Sequence, residues 1–450
     1  MKEESGYGFE ESFLHIWAPA ITDYVEWVLT EAIQSGKKRL YFLARDGWMM
    51  YHAAQRIIDK KKLDLEARYL KVSRYAIRSA EYHLMGEKCL DLICVGGIDV
   101  TFEKLMKRAL LTDEEARHIA RLSGYEEEYK TVLNYRQIQE LKVKLKEIKL
   151  LFKYIEQHSK LNYENTIGYL NQEGLLENTP YALVDSGWIG TLQMSIQHLV
   201  SAGCGEERRI DGYYYGLYDV PKDAQKEQYK SFYFGKKSIW RKVYFSNCLF
   251  ETVFSSPEGM TVGYERHTDV SNSETYIYLP VESSHMNPNR EVMMEFKGLL
   301  MMYVDKRLRD ENSKSGNRRK IDGGNLSGYG KKVRSVNDIK SVKKNFRKLA
   351  RLMSCPIQAE AESYGDMQFC DDIIEFKLQP VAAEWDLEEI RKQRFINKLL
   401  VKLNIRKQEL HESAWPEGSI TNAGGRIKSH LRQERMYKLF MYTRKAIVGK

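Results

Sequence analysis

Cysteine is scarce in this chain: six in 450 residues, at positions 89, 94, 204, 248, 355 and 370, with no Cys-x-x-Cys pair among them. That spacing argues against a disulfide framework or a structural zinc site and suits a reducing compartment. Also missing is any apolar run long enough to span a bilayer, and the acidic start Met1-Lys-Glu-Glu-Ser5 lacks the basic flank and apolar stretch of a signal peptide. A cytoplasmic location is the expectation. No internal repeat recurs at a fixed period, and the ten histidines show no metal-ligand spacing. What is present is a balanced globular composition, 43% hydrophobic and 30% charged, with a formal charge of +9 that favours anionic partners. At this length two or three structural units are expected.

Several nucleotide and phosphate signatures are absent too. No Gly-x-Gly-x-x-Gly opens a helix after a strand. The tract Gly323-Gly-Asn-Leu-Ser-Gly-Tyr-Gly-Lys-Lys332 has the wrong glycine spacing for a P-loop, with Lys332 where Ser or Thr is needed. A haloacid-dehalogenase phosphatase needs a second aspartate two residues after its nucleophile, and after Asp185 that position is Gly187.

Two segments stand out against these absences. Arg39-Leu-Tyr-Phe-Leu-Ala-Arg-Asp-Gly47 and Tyr181-Ala-Leu-Val-Asp-Ser-Gly-Trp-Ile-Gly-Thr191 are each an apolar run fit for a buried strand, ending in an acidic residue and glycine and passing into an amphipathic helix. Glycine at the carboxyl end of a parallel strand permits positive φ and close ligand approach, and the first turn of the next helix offers unpaired N–H groups to a phosphate. Two such loops predict a substrate with more than one phosphate.

The surrounding pattern predicts an α/β fold: a Rossmann-like, mostly parallel sheet flanked by helices, with a helical insertion and a helical C-terminal region. A helix is expected over Glu10–Gln34, interrupted or kinked near Pro19, and strands at Arg39, at Arg68 to Val72, at Tyr181, at Gly212 to Tyr218 and at Gln228 to Phe234. The tyrosines of the last two fit sheet packing better than base stacking. Four parts follow: 1–100 and 176–286 as the two parts of the α/β core, 101–175 as the helical insertion, and 287–450 as the mostly helical C-terminal region. In that region helices at Asn289–Arg309, Val336–Met353 and Leu387–Leu403 enclose a polar, loop-like stretch from Ser313 to Lys332, and Arg426–Lys445 reads as a basic helix.

Candidate site residues follow from the motifs. Arg45 suits a bidentate phosphate contact and Asp46 either Mg²⁺ ligation or general base work, with Gly47 completing the turn; an ion pair closing the turn explains the same residues. Asp185, Ser186, Gly187, Trp188, Gly190 and Thr191 form a plausible phosphate cradle, where Trp188 covers a sugar or caps the core. Arg74 and Arg78, four apart beyond a strand, share a face of any helix there and extend the anion site. Glu251, in Phe250-Glu-Thr-Val-Phe-Ser-Ser-Pro-Glu-Gly259, is a further catalytic carboxylate or an ordinary helix-end residue. Trp415 and Glu417, in Ser413-Ala-Trp-Pro-Glu-Gly-Ser419, make a turn of a kind that lines sugar sites or is merely structural.

Taken in order, Trp17-Ala-Pro19, Tyr41-Phe-Leu-Ala-Arg-Asp-Gly47, Val72-Ser-Arg-Tyr-Ala76, Val184-Asp-Ser-Gly-Trp-Ile-Gly-Thr191, Phe250-Glu-Thr-Val-Phe-Ser-Ser-Pro-Glu-Gly-Met-Thr-Val-Gly-Tyr264 and Trp415-Pro-Glu-Gly418 resemble the glycan phosphoribosyltransferase domain of bacterial polysaccharide ribofuranosyltransferases. The resemblance runs from about Gly6 to Gly418. It implies transfer of a 5-phosphoribosyl group from phosphoribosyl pyrophosphate to a glycan acceptor, for surface polysaccharides such as O-antigen or capsule. In that family the domain follows a haloacid-dehalogenase-like phosphatase, which removes the 5-phosphate. This chain has no Asp-x-Asp strand near its start, which implies a separate phosphatase.

On that reading Arg45, Arg74 and Mg²⁺ hold the pyrophosphate while the Ser186–Thr191 loop receives the 5-phosphate, or the two are exchanged. Asp46 or Asp185 serves as base or metal ligand, with Glu251 the third candidate. The basic C-terminal helix suits peripheral contact with the inner membrane face, where lipid-linked acceptors sit; a plain bundle helix is the competing reading. A sugar-phosphate hydrolase or phosphatase and a non-catalytic anion- or nucleic-acid-binding protein are the other classes, though no nucleic-acid recognition motif is present.

Overall fold

The computed structural model describes residues 8–96, 99–269, 276–319, 336–370, 378–403 and 405–448. Its centre is a five-stranded sheet built from β1 (Arg39–Leu43), β2 (Glu66–Leu70), β3 (Tyr181–Trp188), β4 (Asp211–Leu217) and β5 (Tyr229–Phe234). All pairings are parallel and the order is β2-β1-β3-β4-β5. The expected α/β architecture, parallel sheet with flanking helices and a helical C-terminal region, is the one observed.

Every residue of β1 is buried, because helices cover both faces of the sheet. Leu40 and Phe42 point into a core shared with the helices Ala18–Gln34 and Gly47–Lys61. Tyr41 and Leu43 point the other way, toward the helices Arg74–Met85, Lys149–Gln172 and Thr191–Cys204. After β1 the chain steps one way to β2; after β3 it steps the other way to β4. Right-handed crossovers in opposite directions send the two connecting helices to opposite faces, so the turns at the carboxyl ends of β1 and β3 diverge and leave a crevice between them.

The break expected near Pro19 is a wide turn. The chain is helical over Phe9–Ser12, opens into a π-helical turn at Phe13–Trp17, and continues as Ala18–Gln34. Proline has no N–H for the carbonyl four residues back, and the wide turn absorbs that mismatch without ending the helix.

The insertion contains helices Phe102–Arg108, Asp113–Ser123, Tyr135–Lys146 and Lys149–Gln172. Thr112 and Asn134 start two of them with reciprocal capping boxes. They enclose a separate core that includes Leu105, Ile119, Leu141 and Leu151 and also takes in Tyr82 and Cys89, so this helical unit draws on residues well before 101.

The C-terminal helices are less separate. Arg290–Arg319 and Val336–Ser354 bury Met293, Phe296, Leu300, Leu349 and Leu352 in the same core as β1. Residues 313–319, expected to be loop, continue the first of these helices; the rest of the expected loop, with the Gly323–Lys332 tract, lies outside the described residues. The helix expected over Leu387–Leu403 is two, Leu387–Lys392 and Phe395–Lys402. An antiparallel hairpin of β6 (Thr261–Thr268) and β7 (Tyr276–Glu282) was not expected. It docks through Tyr264, whose ring stacks on Tyr169 with centroids 4.4 Å apart and whose hydroxyl donates to the Lys71 carbonyl at 2.9 Å. Among the described residues, no helix is long and apolar enough to cross a membrane.

Candidate functional site

A cleft of about 290 Å³ opens at the carboxyl ends of β1 and β3, lined by Arg45 and Asp46 from the turn after β1, Asp185, Gly187 and Trp188 from β3 itself, Gly190 and Thr191 from the start of the next helix, Arg74, and Glu251. Strand β3 runs on past its expected end at Asp185. Strand geometry accounts for the opening. The pairing of β1 with β3 stops at Phe42 opposite Val184, whereas β3 continues beside β4 through Trp188. Asp185 and Ser186 therefore lie just past the point where their neighbour turns away, and the freed edge faces the crevice. Glu251 arrives from the helix Asn247–Phe254, capped by the Ser246 hydroxyl.

The glycines meet different needs. Gly187 has φ +141°, and a Cβ there would lie 2.0 Å from the Gly216 carbonyl oxygen on β4, so only glycine keeps β3 and β4 together here. Gly190, with φ +76°, is the residue before the helix Thr191–Cys204. Gly47 departs from the expectation. It sits inside the first helical turn with no positive φ, and its constraint is packing: a Cβ would come 3.0 Å from the Phe42 carbonyl carbon.

Three carboxylates converge, each partly open to the cleft but otherwise enclosed by protein. The Ser186 hydroxyl donates to Asp46, and the Trp188 indole N–H donates to Glu251. Burial raises the pKa of Asp46; the Ser186 hydrogen bond and the positive charges of Arg45 and Arg74 oppose the rise. Asp185 is raised well above the ordinary range by burial and then by the neighbouring charges of Asp46 and Glu251, against a hydrogen bond from the Ser186 backbone. Glu251 is pushed up to about 7 by burial and the charge of Asp46, while Arg74, the Trp188 indole and Arg45 pull the other way. Burial and mutual like charge thus both oppose simultaneous ionisation of the three carboxylates.

The other predicted residues divide into groups. Arg45 and Arg74 are exposed in the cleft wall, near enough for their charges to act on Asp46 and Glu251. Arg78 stands behind that wall and donates to the Thr191 hydroxyl at 3.0 Å. Ser186 is buried with its hydroxyl committed to Asp46, which makes it a positioning residue rather than a free phosphate donor. Trp188 caps the core: its ring stacks near Phe234 and meets Phe250 edge-on at 5.7 Å, and its N–H is committed to Glu251.

Trp415 and Glu417 are not brought to the cleft. The Trp415 ring is wholly buried and its indole donates to the Met353 carbonyl at 2.7 Å; Glu417 is buried and paired with Lys438 at 2.6 Å. The turn starts the helix Pro416–Ala423, and Gly418 lies against the Trp415 ring, so the motif packs an aromatic inward. The cleft is also lined by residues not singled out from the sequence: Ser73, Glu258, His285, Asn287 and Asn289. Asn287 donates to the Ser256 carbonyl at 2.7 Å, and Asn289 exchanges hydrogen bonds with the Gln368 backbone. Glu258 lies within the Ser-Ser-Pro-Glu-Gly turn already singled out for Glu251; the asparagines belong to no recognisable motif.

The chain matches no protein-family model and no curated protein. Among the described residues, no group of three or more His, Cys, Asp and Glu side chains could hold a metal ion by itself. Asp46 and Asp185 nevertheless offer a hard, all-oxygen pair beside mutually repelling charges, and Mg²⁺ is ordinarily held by one or two carboxylates with substrate phosphates completing the shell. The pair fits that cation.

Proposed function

We propose that this protein is a glycan phosphoribosyltransferase, moving a 5-phosphoribosyl group from phosphoribosyl pyrophosphate to a hydroxyl of a bacterial surface-polysaccharide acceptor. The observation that carries the proposal is the carboxylate cluster of Asp46, Asp185 and Glu251 near Arg45 and Arg74 at the switch point of a parallel sheet. The ordered motif resemblance supplies the donor.

Arg45 and Arg74 hold the pyrophosphate, and the first turn of the helix Thr191–Cys204, with Thr191 held by Arg78, receives the 5-phosphate. Mg²⁺, held by Asp46 and Asp185, would neutralise charge on the donor phosphates. Glu251, with its pKa near 7, takes the proton of the acceptor hydroxyl. As that O–H bond breaks, the acceptor oxygen bonds C1 from the face opposite the leaving group; the C1–O bond to pyrophosphate breaks and pyrophosphate departs with the electron pair, inverting C1. Positive charge develops on the sugar during this step, and the neighbouring carboxylates stabilise it. A separate phosphatase would then remove the 5-phosphate. Lipid-linked acceptors would place the enzyme in the cytoplasm at the inner face of the cell membrane.

Incubation with phosphoribosyl pyrophosphate, Mg²⁺ and a panel of glycan acceptors, followed by mass spectrometry, tests the proposal. A product heavier by one phosphoribosyl unit is expected. Phosphate release without an acceptor would indicate a sugar-phosphate hydrolase instead, and no product with any acceptor, alongside binding of a nucleotide sugar, would favour a different donor. Asp46→Ala is expected to abolish transfer while leaving the circular dichroism spectrum unchanged; near-wild-type transfer would remove Asp46 from the mechanism.

A further inference from the structure

From Ile390 to Gln408 the chain carries seven lysines and arginines and no acidic residue. Within this stretch the helix Phe395–Lys402 is apolar at five of its eight positions, yet none of its residues is buried. Ile396 and Ile405 are 67% and 69% exposed, and Leu403, seven residues after Ile396 and hence on the same helical stripe, is exposed as well. The surface extends onto the helix Ile427–Val448. The Phe395 ring lies 6.1 Å from that of Phe440, and Lys398 is tied to Glu434 at 3.0 Å. Met436 and Phe440, four apart and both exposed, continue the apolar patch, with Arg432, Arg444 and Lys445 exposed on the same helix.

A contiguous apolar patch flanked by an excess of positive charge, in which Lys392, Lys398 and Lys402 are paired with Glu388, Glu434 and Glu412, marks a surface built for a partner. Aliphatic side chains of this kind enter the acyl boundary of a bilayer, while the flanking lysines and arginines reach the headgroups. The net positive charge, with Arg391, Arg394, Arg406 and Lys407 exposed, selects an anionic surface. A nucleic acid would use the charge but leave Ile396, Leu403 and Ile405 in water, since phosphates and sugars offer them nothing.

We infer that residues 390–408, together with the Met436–Phe440 face, form a docking surface for the anionic leaflet of a membrane. This moves the membrane-facing role from the C-terminal basic helix alone to the segment packed beside it. Tyr442 of that basic helix is turned inward, its ring stacked on Tyr218 at 5.7 Å. The surface deepens the transferase proposal by naming what brings the enzyme to lipid-linked acceptors, but vesicle binding and transfer are measured separately, so either can fail alone.

The test uses the full chain and sedimentation with vesicles of phosphatidylcholine containing phosphatidylglycerol, and with phosphatidylcholine alone. Binding is expected only to the anionic vesicles and should weaken as salt is raised. Ile396→Ser with Ile405→Ser should lower the partition coefficient by about tenfold or more. Lys402→Gln with Lys407→Gln should lower it and flatten the salt dependence. All four side chains are exposed, so unchanged urea unfolding midpoints should accompany both variants. No binding to anionic vesicles, undiminished binding by the variants, or capture of single-stranded nucleic acid in place of vesicles would overturn the inference.

Discussion

Replacing Glu251 by glutamine should make the folded protein more stable at alkaline pH and no more stable at acid pH. The reason lies in the folded-state pKa of about 7 against an ordinary 4.5. Below 4.5 the carboxyl is protonated in both folded and unfolded chains, and the site carries no penalty. Between 4.5 and 7 the unfolded chain releases the proton while the folded one retains it, so stability falls as pH rises; above 7 the penalty is complete. At about 1.4 kcal/mol per pH unit, a fully sealed carboxylate would lose about 3 kcal/mol. Glu251 is partly open to the cleft, and solvent screening reduces this to about 1–2 kcal/mol. Glutamine keeps an oxygen to accept from the Trp188 indole and removes one of the charges pressing on Asp185. Urea unfolding of wild type and variant at pH 5 and pH 8 measures the gap. An equal difference at both pH values, or a variant less stable at pH 8, would refute the account of the cluster whatever reaction the protein performs.

Gly187→Ala should prevent soluble expression or cost about 3 kcal/mol or more, because its Cβ would meet the Gly216 carbonyl oxygen at 2.0 Å; a variant with wild-type thermal unfolding would contradict that packing. Arg45→Ala and Arg74→Ala should each weaken pyrophosphate binding by about tenfold or more in isothermal titration calorimetry, with the unfolding midpoint unchanged, since both side chains are exposed in the cleft wall. Glu417→Gln should lower stability by about 1–3 kcal/mol, leaving buried Lys438 with Glu434 alone as its counter-charge, while kcat per folded molecule stays at the wild-type value. A large fall in kcat without destabilisation would return Glu417 to the site.

Much of the sheet was legible in the chain because a fully covered parallel strand must be apolar at every position, and Leu40 to Leu43 and Ala182 to Val184 are so. The hairpin β6–β7 was not. Of its residues Tyr264-Glu-Arg-His-Thr268 four are polar, and it is held by residues far away in sequence, including the Tyr169 ring, Asn165 and Gln172. The extended first C-terminal helix was missed for a similar reason, since residues 313–319 carry polar and basic side chains with no apolar stripe to announce a helix. At the site, Asp46 and Asp185 could be read from their strand-end positions, whereas Trp415-Pro-Glu-Gly418 looked alike locally and was turned inward by the packing of Trp415 against the Met353 backbone.

By itself the sequence determined that two acidic segments sit at or near the carboxyl ends of buried strands, Arg45-Asp46-Gly47 in the turn after β1 and Asp185-Ser-Gly187 within the last residues of β3. Only the tertiary structure decided that they face each other. Their meeting depends on strand order, β1 beside β3 with crossovers in opposite directions, and strand order is set by which helices cover which face rather than by any residue in the turns. The same holds for Glu251, whose raised pKa arises from burial and from the charge of Asp46, some 200 positions away in the chain, and so had no local signature to read.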